Sequence, residues 1–229
     1  MSALSGATRR RSLLLAAACA GAFALLSATV LLGPAPGWDV DLFRAVYVGD
    51  TDASGTGSAA VEAAFPLLVR VADSRAIVAF VVTVALLLFA LGRRQDTVLF
   101  LAAVSLTGTS RVLKPLLSRD SPFISPGDAS FPSGHAIASA TVAGGLLLIL
   151  ASTGLRWPAA IGGVLLVGAV GVSAVADGGH FPTDVLGGWL LAAAWVLALR
   201  GLFRSPGPAV RTEGPHSDRP AIVRPAVRR

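Results

Sequence analysis

Apolar residues fall into six runs that approach the length needed to cross a lipid bilayer. These runs occupy residues 13–32, 76–91, 97–112, 136–151, 157–176 and 185–202. An α-helix rises about 1.5 Å per residue, so about 20 residues cross a hydrocarbon core of roughly 30 Å. The second, third and fourth runs need flanking residues to complete a crossing. Because backbone groups in lipid must be bonded within their own segment, we predict an all-α membrane bundle of six transmembrane helices over residues 13–203.

The segments outside the six runs are turn-rich, short or polar. Residues 33–74 form the longest connection and include an apolar stretch at 59–71 that is too short to span a membrane. We predict an outer loop that carries a short interfacial helix at 59–71. Residues 1–12 are predicted to be a cytoplasmic N-terminus. Residues 204–229 are rich in proline and arginine, which predicts a disordered, basic cytoplasmic tail.

The first run has an alternative interpretation as a secretory signal peptide, because Arg9, Arg10 and Arg11 precede it. A signal peptide has an apolar core of about 7–15 residues, and this run is longer. We therefore expect an uncleaved first helix.

Composition excludes several classes of protein. Hydrophobic residues make up 54% of the 229 residues and charged residues only 14%, whereas soluble domains carry about 25% charged residues. A cytosolic enzyme, a disordered chain and a nucleic-acid-binding protein are all poor interpretations. Cys19 is the single cysteine, so no intrachain disulfide can form. The heavy use of alanine, glycine and arginine is typical of bacterial genomes of high GC content.

The charges predict the orientation of the bundle. With the N-terminus in the cytoplasm, 13 basic and 3 acidic residues lie inside, and 6 basic and 10 acidic residues lie outside. The net charge of +6 then divides into +10 inside and −4 outside. Because cytoplasmic loops carry the excess of lysine and arginine, we predict a multi-pass protein of the plasma (inner) membrane with both termini in the cytoplasm.

Three polar clusters lie at the predicted outer ends of helices, and polar groups gathered at one membrane depth indicate a functional site. The clusters are residues 114–122, 131–135 and 180–184. Ser133, Gly134 and His135 stand where the fourth helix begins, and the free N–H groups and dipole of a helix start favour an anion. The alternative is that Ser133 only caps the helix.

Histidine, aspartate and lysine at the same level could carry chemistry. Asp184 could accept a hydrogen bond from one ring nitrogen of His180 and leave the other nitrogen free to attack. The alternatives are a helix-capping Asp184 and an interfacial His180 with no catalytic role. Lys114, the only lysine in the chain, suits phosphate binding as a compact cation, or simply ends the third helix by snorkelling.

Taken in order, these clusters resemble the three signatures of the type 2 phosphatidic acid phosphatase family, the membrane lipid phosphate phosphatases related to vanadium haloperoxidases. The signatures are Lys-x6-Arg-Pro, Pro-Ser-Gly-His and Ser-Arg-x5-His-x3-Asp. They correspond here to residues 114–122, 132–135 and 173–184, with matching spacing. Ser121 and Ala174 replace the two signature arginines, which in the family hold the phosphate.

The resemblance implies a metal-independent lipid phosphatase that needs no cofactor. His180 would be the nucleophile that forms a phosphohistidine, Asp184 its orienting partner and His135 the acid that protonates the leaving oxygen. The phosphate would be held by residues that include a nearby arginine in place of the missing ones: Lys114, Arg119, Ser133 and Gly134. Arg111, one turn before Lys114, is a further candidate.

The expected partners are the bilayer and a lipid phosphate: a polyprenyl phosphate or diphosphate, phosphatidic acid or phosphatidylglycerol phosphate. Two alternatives follow from the missing arginines. One is a lipid-phosphate-binding membrane protein with weakened catalysis, and the other is a phosphotransferase that uses the same histidines. The sequence does not choose an oligomeric state.

Labelling of single cysteines tests the predicted orientation. In a Cys19→Ser background, Asp128→Cys should react with an impermeant maleimide added to intact cells. Arg94→Cys should react only after the cells are permeabilised, because its loop is predicted to be cytoplasmic. The reverse pattern would invert the topology.

Overall fold

The computed structural model describes residues 2–47, 74–117, 119–122 and 129–203. The predicted interfacial helix at 59–71 and the predicted disordered tail at 204–229 lie outside the described residues.

The described chain is helical, and an isolated β-bridge joins Asp120 to Ala129. We number the helices α1 (Ser2–Leu32), α2 (Gly37–Val46), α3 (Ser74–Ala90), α4 (Arg94–Val104), α5 (Thr109–Leu117), α6 (Gly134–Leu150), α7 (Arg156–Ala176) and α8 (Pro182–Leu202). A single 3₁₀ turn, Ser105–Gly108, joins α4 to α5 without a break. The predicted all-α fold is thus confirmed for these residues.

Four helical segments are long and apolar enough to cross a membrane: Gly6–Leu32, Arg94–Leu117, Arg156–Ala176 and Pro182–Leu202. The other two predicted spans form α3 and α6, which have 17 residues each and so measure about 25 Å. These two fall short of a hydrocarbon core of roughly 30 Å. Several spans make the chain a multi-pass membrane protein, and the count of six remains a prediction.

Helix α6 lies at the centre of the bundle. It packs on α4, α7 and α8, while α1 runs along α8 and α3 packs on α4. Most of α6 is buried, whereas α3 and α7 present large apolar side chains outward, such as Phe80, Leu86, Val164 and Leu165. This distribution is the one expected when a central helix is surrounded by lipid-facing neighbours.

The N-terminal ends of α6 and α8 are in unusually close contact. The backbone N–H of Ser133 donates to the carbonyl oxygen of Asp184 at 3.0 Å. A Cβ on Gly188 would lie 2.8 Å from the Ser133 carbonyl oxygen, and a Cβ on Gly187 would lie 2.5 Å from the ring of Phe131. Only glycine allows this approach, which brings the two sequence clusters at 131–135 and 180–184 together.

Helix α2 was not among the predicted elements, because within residues 33–74 a helix was predicted at 59–71 alone. It is a short amphipathic helix that packs on α7 and α8. Asp39 and Phe43, one turn apart, form its buried face. Phe43 lies in an apolar cluster with Ala136, Ala174, Val175 and Val185.

Substitution of Gly188 by alanine should separate the two helix ends. The new methyl group would meet a backbone oxygen that cannot rotate away, so we expect a loss of about 1–3 kcal/mol in stability. Thermal unfolding in detergent measures it. Gly168→Ala in α7 is the matched control, since nothing lies within 4 Å of its Cβ position. Equal melting temperatures for the two variants would contradict the close contact.

Candidate active site

The start of α6 supplies one wall of the site. Ser133 is fully buried and is the N-cap residue, with its Oγ accepting a 3.4 Å hydrogen bond from the N–H of Ala136. Ser133 therefore caps α6, and its role towards phosphate stays a prediction. Gly134 follows at the first helical position, where N–H groups remain unpaired within a helix.

The two histidines of the polar clusters come together. His135, in the first turn of α6, is exposed, whereas His180, just before α8, is buried. Their ring centroids are 6.1 Å apart and the rings meet edge to face at 75°. One buried and one exposed imidazole thus border the same space at one end of the bundle.

Asp184 lies beside His180 but also has a structural role. Its carboxylate is fully buried, and Oδ2 accepts a 2.8 Å hydrogen bond from the N–H of Phe181, which caps α8. Nδ1 of His180 lies 3.8 Å from the same Oδ2, longer than a hydrogen bond. Within the described residues this buried Nδ1 has no hydrogen-bond partner. The predicted pair is adjacent, and catalytic hydrogen bonds often tighten when substrate binds.

Arg119 reaches the site, as predicted, but it is bound there by the protein itself. Its Nη1 donates to Asp184 Oδ1 at 3.2 Å and to the hydroxyl of Thr183. Its Nη2 donates to Asp39 Oδ2 at 2.7 Å. The guanidinium also lies 4.1 Å from the centre of the Phe181 ring and is largely buried. Three of its five N–H donors are thus engaged by Asp39, Thr183 and Asp184, which orient the guanidinium towards the carboxylates.

Asp39 is the residue that the sequence analysis missed. It is fully buried, and its Oδ1 accepts from the N–H of Thr183 at 3.0 Å. Its Oδ2 accepts from the Thr183 hydroxyl at 2.6 Å as well as from Arg119. The available signal was the i, i+4 pairing of Asp39 with Phe43 in a stretch that alternates apolar and acidic residues.

Lys114 approaches the site from α5. It lies in the last turn of α5 and is half-buried. Ser110, one turn earlier on the same face, has its Oγ 3.0 Å from the Cβ position of Gly134. Lys114 lies one helical turn beyond Ser110, the residue through which α5 contacts the start of α6. Arg111 is exposed on the same helix.

The two positions that lack a signature arginine have different surroundings. Ser121 is half-buried and its hydroxyl donates to the carbonyl oxygen of Gly179 at 3.1 Å, directly before His180. Ala174 is 8% exposed and lies in the apolar cluster around Phe43. The first position therefore adjoins the histidine, and the second is part of the core.

In the described part of the chain, no three His, Cys, Asp or Glu side chains form a group that could hold a metal ion. The site presents two imidazole rings beside the start of α6, where backbone N–H groups have no partner within the helix. These groups suit an anionic ligand of tetrahedral shape.

Comparison with known proteins agrees with this arrangement. Residues 96–205 match the family model of the PAP2 superfamily, a span that includes all three signature segments. This part of the chain, 110 of its 229 residues, is thus similar to the PAP2 superfamily. It departs from the family pattern at the two arginine positions.

Two individual proteins are also similar to this chain. An undecaprenyl-diphosphatase from Sulfolobus acidocaldarius is 32% identical over 142 residues, and the match covers 58% of this chain and 66% of the relative. This chain therefore spans just under two thirds of that relative's length. The crystal structure of a transmembrane PAP2 type phosphatidylglycerolphosphate phosphatase from Bacillus subtilis superposes with a TM-score of 0.68 at 21% identity. The superposition covers 82% of this chain and 94% of the Bacillus subtilis protein, so the two proteins share a fold.

Restoring the two arginines should have unequal effects. Ser121→Arg should fold normally and strengthen phosphate binding, since its position adjoins His180 and is half-buried. Ala174→Arg should lower the melting temperature markedly, because it places a guanidinium among apolar side chains without a partner. Thermal unfolding and inorganic phosphate titration on each single variant measure both effects. A stable Ala174→Arg protein with tighter phosphate binding would show instead that the apolar cluster opens.

Proposed function

We propose that this chain is a member of the PAP2 superfamily and an integral membrane lipid phosphatase. It hydrolyses a phosphomonoester or a diphosphate carried by a membrane lipid. The observation that carries the proposal is the convergence of His135 and His180, with Asp184 beside the buried ring, at the adjoining ends of α6 and α8. The two similar proteins, an undecaprenyl-diphosphatase and a phosphatidylglycerolphosphate phosphatase, support a lipid phosphate substrate.

His180 would act as the nucleophile. Nε2 of its neutral ring attacks phosphorus, the bond from phosphorus to the leaving oxygen breaks, and a phosphohistidine forms. The Asp184 carboxylate accepts a hydrogen bond from the Nδ1–H of His180 and stabilises the positive charge that develops on the ring. Water then attacks the phosphohistidine, releases inorganic phosphate and restores the free Nε2.

His135 would protonate the leaving oxygen. Its exposure suits a group that exchanges a proton with water after each turnover, and it borders the nucleophile's ring. In the second half of the reaction the same imidazole removes a proton from the attacking water. The two histidines thus divide nucleophilic and acid–base roles between a buried and an exposed ring.

The phosphoryl oxygens would be held at the start of α6. The N–H of Gly134, the Ser133 hydroxyl and the Lys114 ammonium offer donors of the kind that stabilise a transferring phosphoryl group. We propose that these groups act without a metal. We do not include Arg119 in this set, because its nitrogens already bind Asp39 and Asp184.

The membrane location suits a lipid whose head group lies at the interface. With the orientation predicted from charge, the site opens on the outer face of the plasma membrane. Candidate substrates are polyprenyl phosphate or diphosphate, phosphatidic acid and phosphatidylglycerol phosphate, and the lipid tail would stay among the lipid-facing helices.

Phosphate release from these lipids tests the proposal. Purified protein in detergent is incubated with undecaprenyl diphosphate, phosphatidic acid and phosphatidylglycerol phosphate, and free phosphate is measured. We expect release on at least one of them, and His180→Ala should abolish it by removing the nucleophile. Asp177→Asn, at an exposed acidic residue near His180, is the control and should retain activity.

Two other outcomes would overturn the proposal. Wild-type release no greater than that of His180→Ala, with binding of the lipid retained, would indicate a lipid-phosphate-binding protein. Consumption of the lipid without free phosphate, accompanied by a new phosphorylated lipid, would indicate a phosphotransferase.

A further inference from the structure

A buried network of two carboxylates and one guanidinium lies behind the histidines. Asp39 and Asp184 are both fully buried, and Arg119 bridges them with one terminal nitrogen to each. Asp39 comes from α2, which lies outside the residues 96–205 that match the family model. The network therefore joins a family-signature residue to a helix that the family model does not include.

Asp39 also fixes the first turn of α8. Its two oxygens accept the N–H and the hydroxyl of Thr183, the residue next to Asp184. It thus holds the backbone that carries Asp184 and holds the arginine that contacts the Asp184 carboxylate. No described contact joins Asp39 to His180 directly.

Charge counting shows what Asp39 contributes. One guanidinium is shared between two carboxylates, so the network as a whole carries one negative charge. Without the charge of Asp39, Arg119 would pair with Asp184 alone, and its positive charge would offset more of the negative potential at His180. Asp184 would then be a weaker partner for the Nδ1 proton of His180 and for the charge that the ring gains during attack.

We propose that Asp39 is a positioning residue for catalysis. Asp39 pairs with Arg119 and so weakens the effect of that cation on Asp184, and it holds Thr183 by two hydrogen bonds. Asp184 is thereby kept next to His180 with its negative charge only partly offset. The inference rests on the proposed function, because it assigns His180 as nucleophile. It also assigns Arg119 to the support of Asp184, in place of the phosphate contact that the sequence analysis predicted.

Charge-matched variants test the network. Asp39→Asn removes one negative charge, Arg119→Gln removes the positive charge, and the double variant restores the original net charge of the network. Asp41→Asn is the matched control, since Asp41 is an exposed acidic residue on the same helix. kcat and KM are measured on the lipid that the wild type hydrolyses fastest, and kcat is normalised to folded protein at a temperature well below every melting point.

We expect each single variant to lower kcat about 10- to 100-fold, the range seen when a supporting residue is lost. KM should change less than about threefold, because neither side chain holds the substrate in this assignment. The double variant should recover kcat to a value above both single variants, since the network again carries a net charge of −1 beside His180, as in the wild type. Asp41→Asn should match the wild type in both constants.

Nitrogen-15 spectra of the histidine rings give a second readout that needs no substrate. The chain has three histidines, so the His180 signals can be assigned by comparison with His180→Ala. We expect Asp39→Asn to shift the Nδ1 signal of His180 and the double variant to return it towards the wild-type position. A residue that only braces the fold would change the melting temperature and leave both this signal and normalised kcat unmoved.

The failures are distinguishable. An inactive wild type would remove the proposed function, while the coupled shift of the His180 signal would still support the network. An active wild type whose Asp39→Asn variant keeps normal kcat would overturn the positioning role. A rise in KM for Arg119→Gln at unchanged kcat would return Arg119 to the phosphate.

Discussion

The close approach of the N-terminal ends of α6 and α8 determines the rest of the site. The Ser133 N–H bonds to the Asp184 carbonyl oxygen, and two successive glycines, Gly187 and Gly188, leave room for Phe131 and for the backbone of α6. Two helix starts that meet at one point direct their positive dipole ends to the same place, and the start of α6 adds the N–H of Gly134, which has no partner within its helix. The histidines lie on either side of this junction, one at each helix start. The proposed anion-binding and catalytic groups are therefore positioned by one packing contact, and a bulkier residue at either glycine would separate both sets together.

A second constraint is that a carboxylate buried next to the membrane must be compensated. Asp184 is fully buried, and its oxygens receive the Phe181 N–H and the Arg119 guanidinium. If Arg119 were paired with Asp184 alone, its positive charge would offset the negative charge that Asp184 presents to His180. Asp39 shares Arg119, which explains why a second buried acid is tolerated in so apolar a chain. The buried charged groups thus form one connected set, in which Arg119 is paired with both carboxylates and His180 lies beside one of them.

The fold could be predicted from sequence to the extent that long apolar runs are helices: all six predicted runs lie in helices, and the shared fold agrees with the family resemblance. The contact between residues 131–135 and 180–184 followed from topology, since both clusters were expected on one face. Helix α2 escaped prediction because its ten residues carry no span-length signal, and with it Asp39 escaped as well. The partners of Arg119 could not be predicted, because residues 39, 119 and 184 are far apart in sequence and only packing makes them neighbours. Spacing motifs locate residues that act within one segment, not those that act across segments.

The same helix also accounts for one missing arginine. Phe43, one turn after Asp39, packs against Ala174, the position at which the family carries a guanidinium. A long cationic side chain at Ala174 and the Phe43 ring would compete for one buried volume, so the two features are alternatives. Helix α2 therefore replaces a charge with an apolar contact on one side and supplies a carboxylate to Arg119 on the other.

The second missing arginine leaves a neutral group in its place. The Ser121 hydroxyl donates to the carbonyl oxygen of Gly179, next to His180, so this position supplies no positive charge to the site. In the proposed site, binding of the phosphate would then depend on Lys114 and on the helix start, which would place more of the transition-state stabilisation on backbone N–H groups. Such a site favours a substrate whose lipid part contributes much of the affinity, since fewer charged contacts remain to hold a free phosphate.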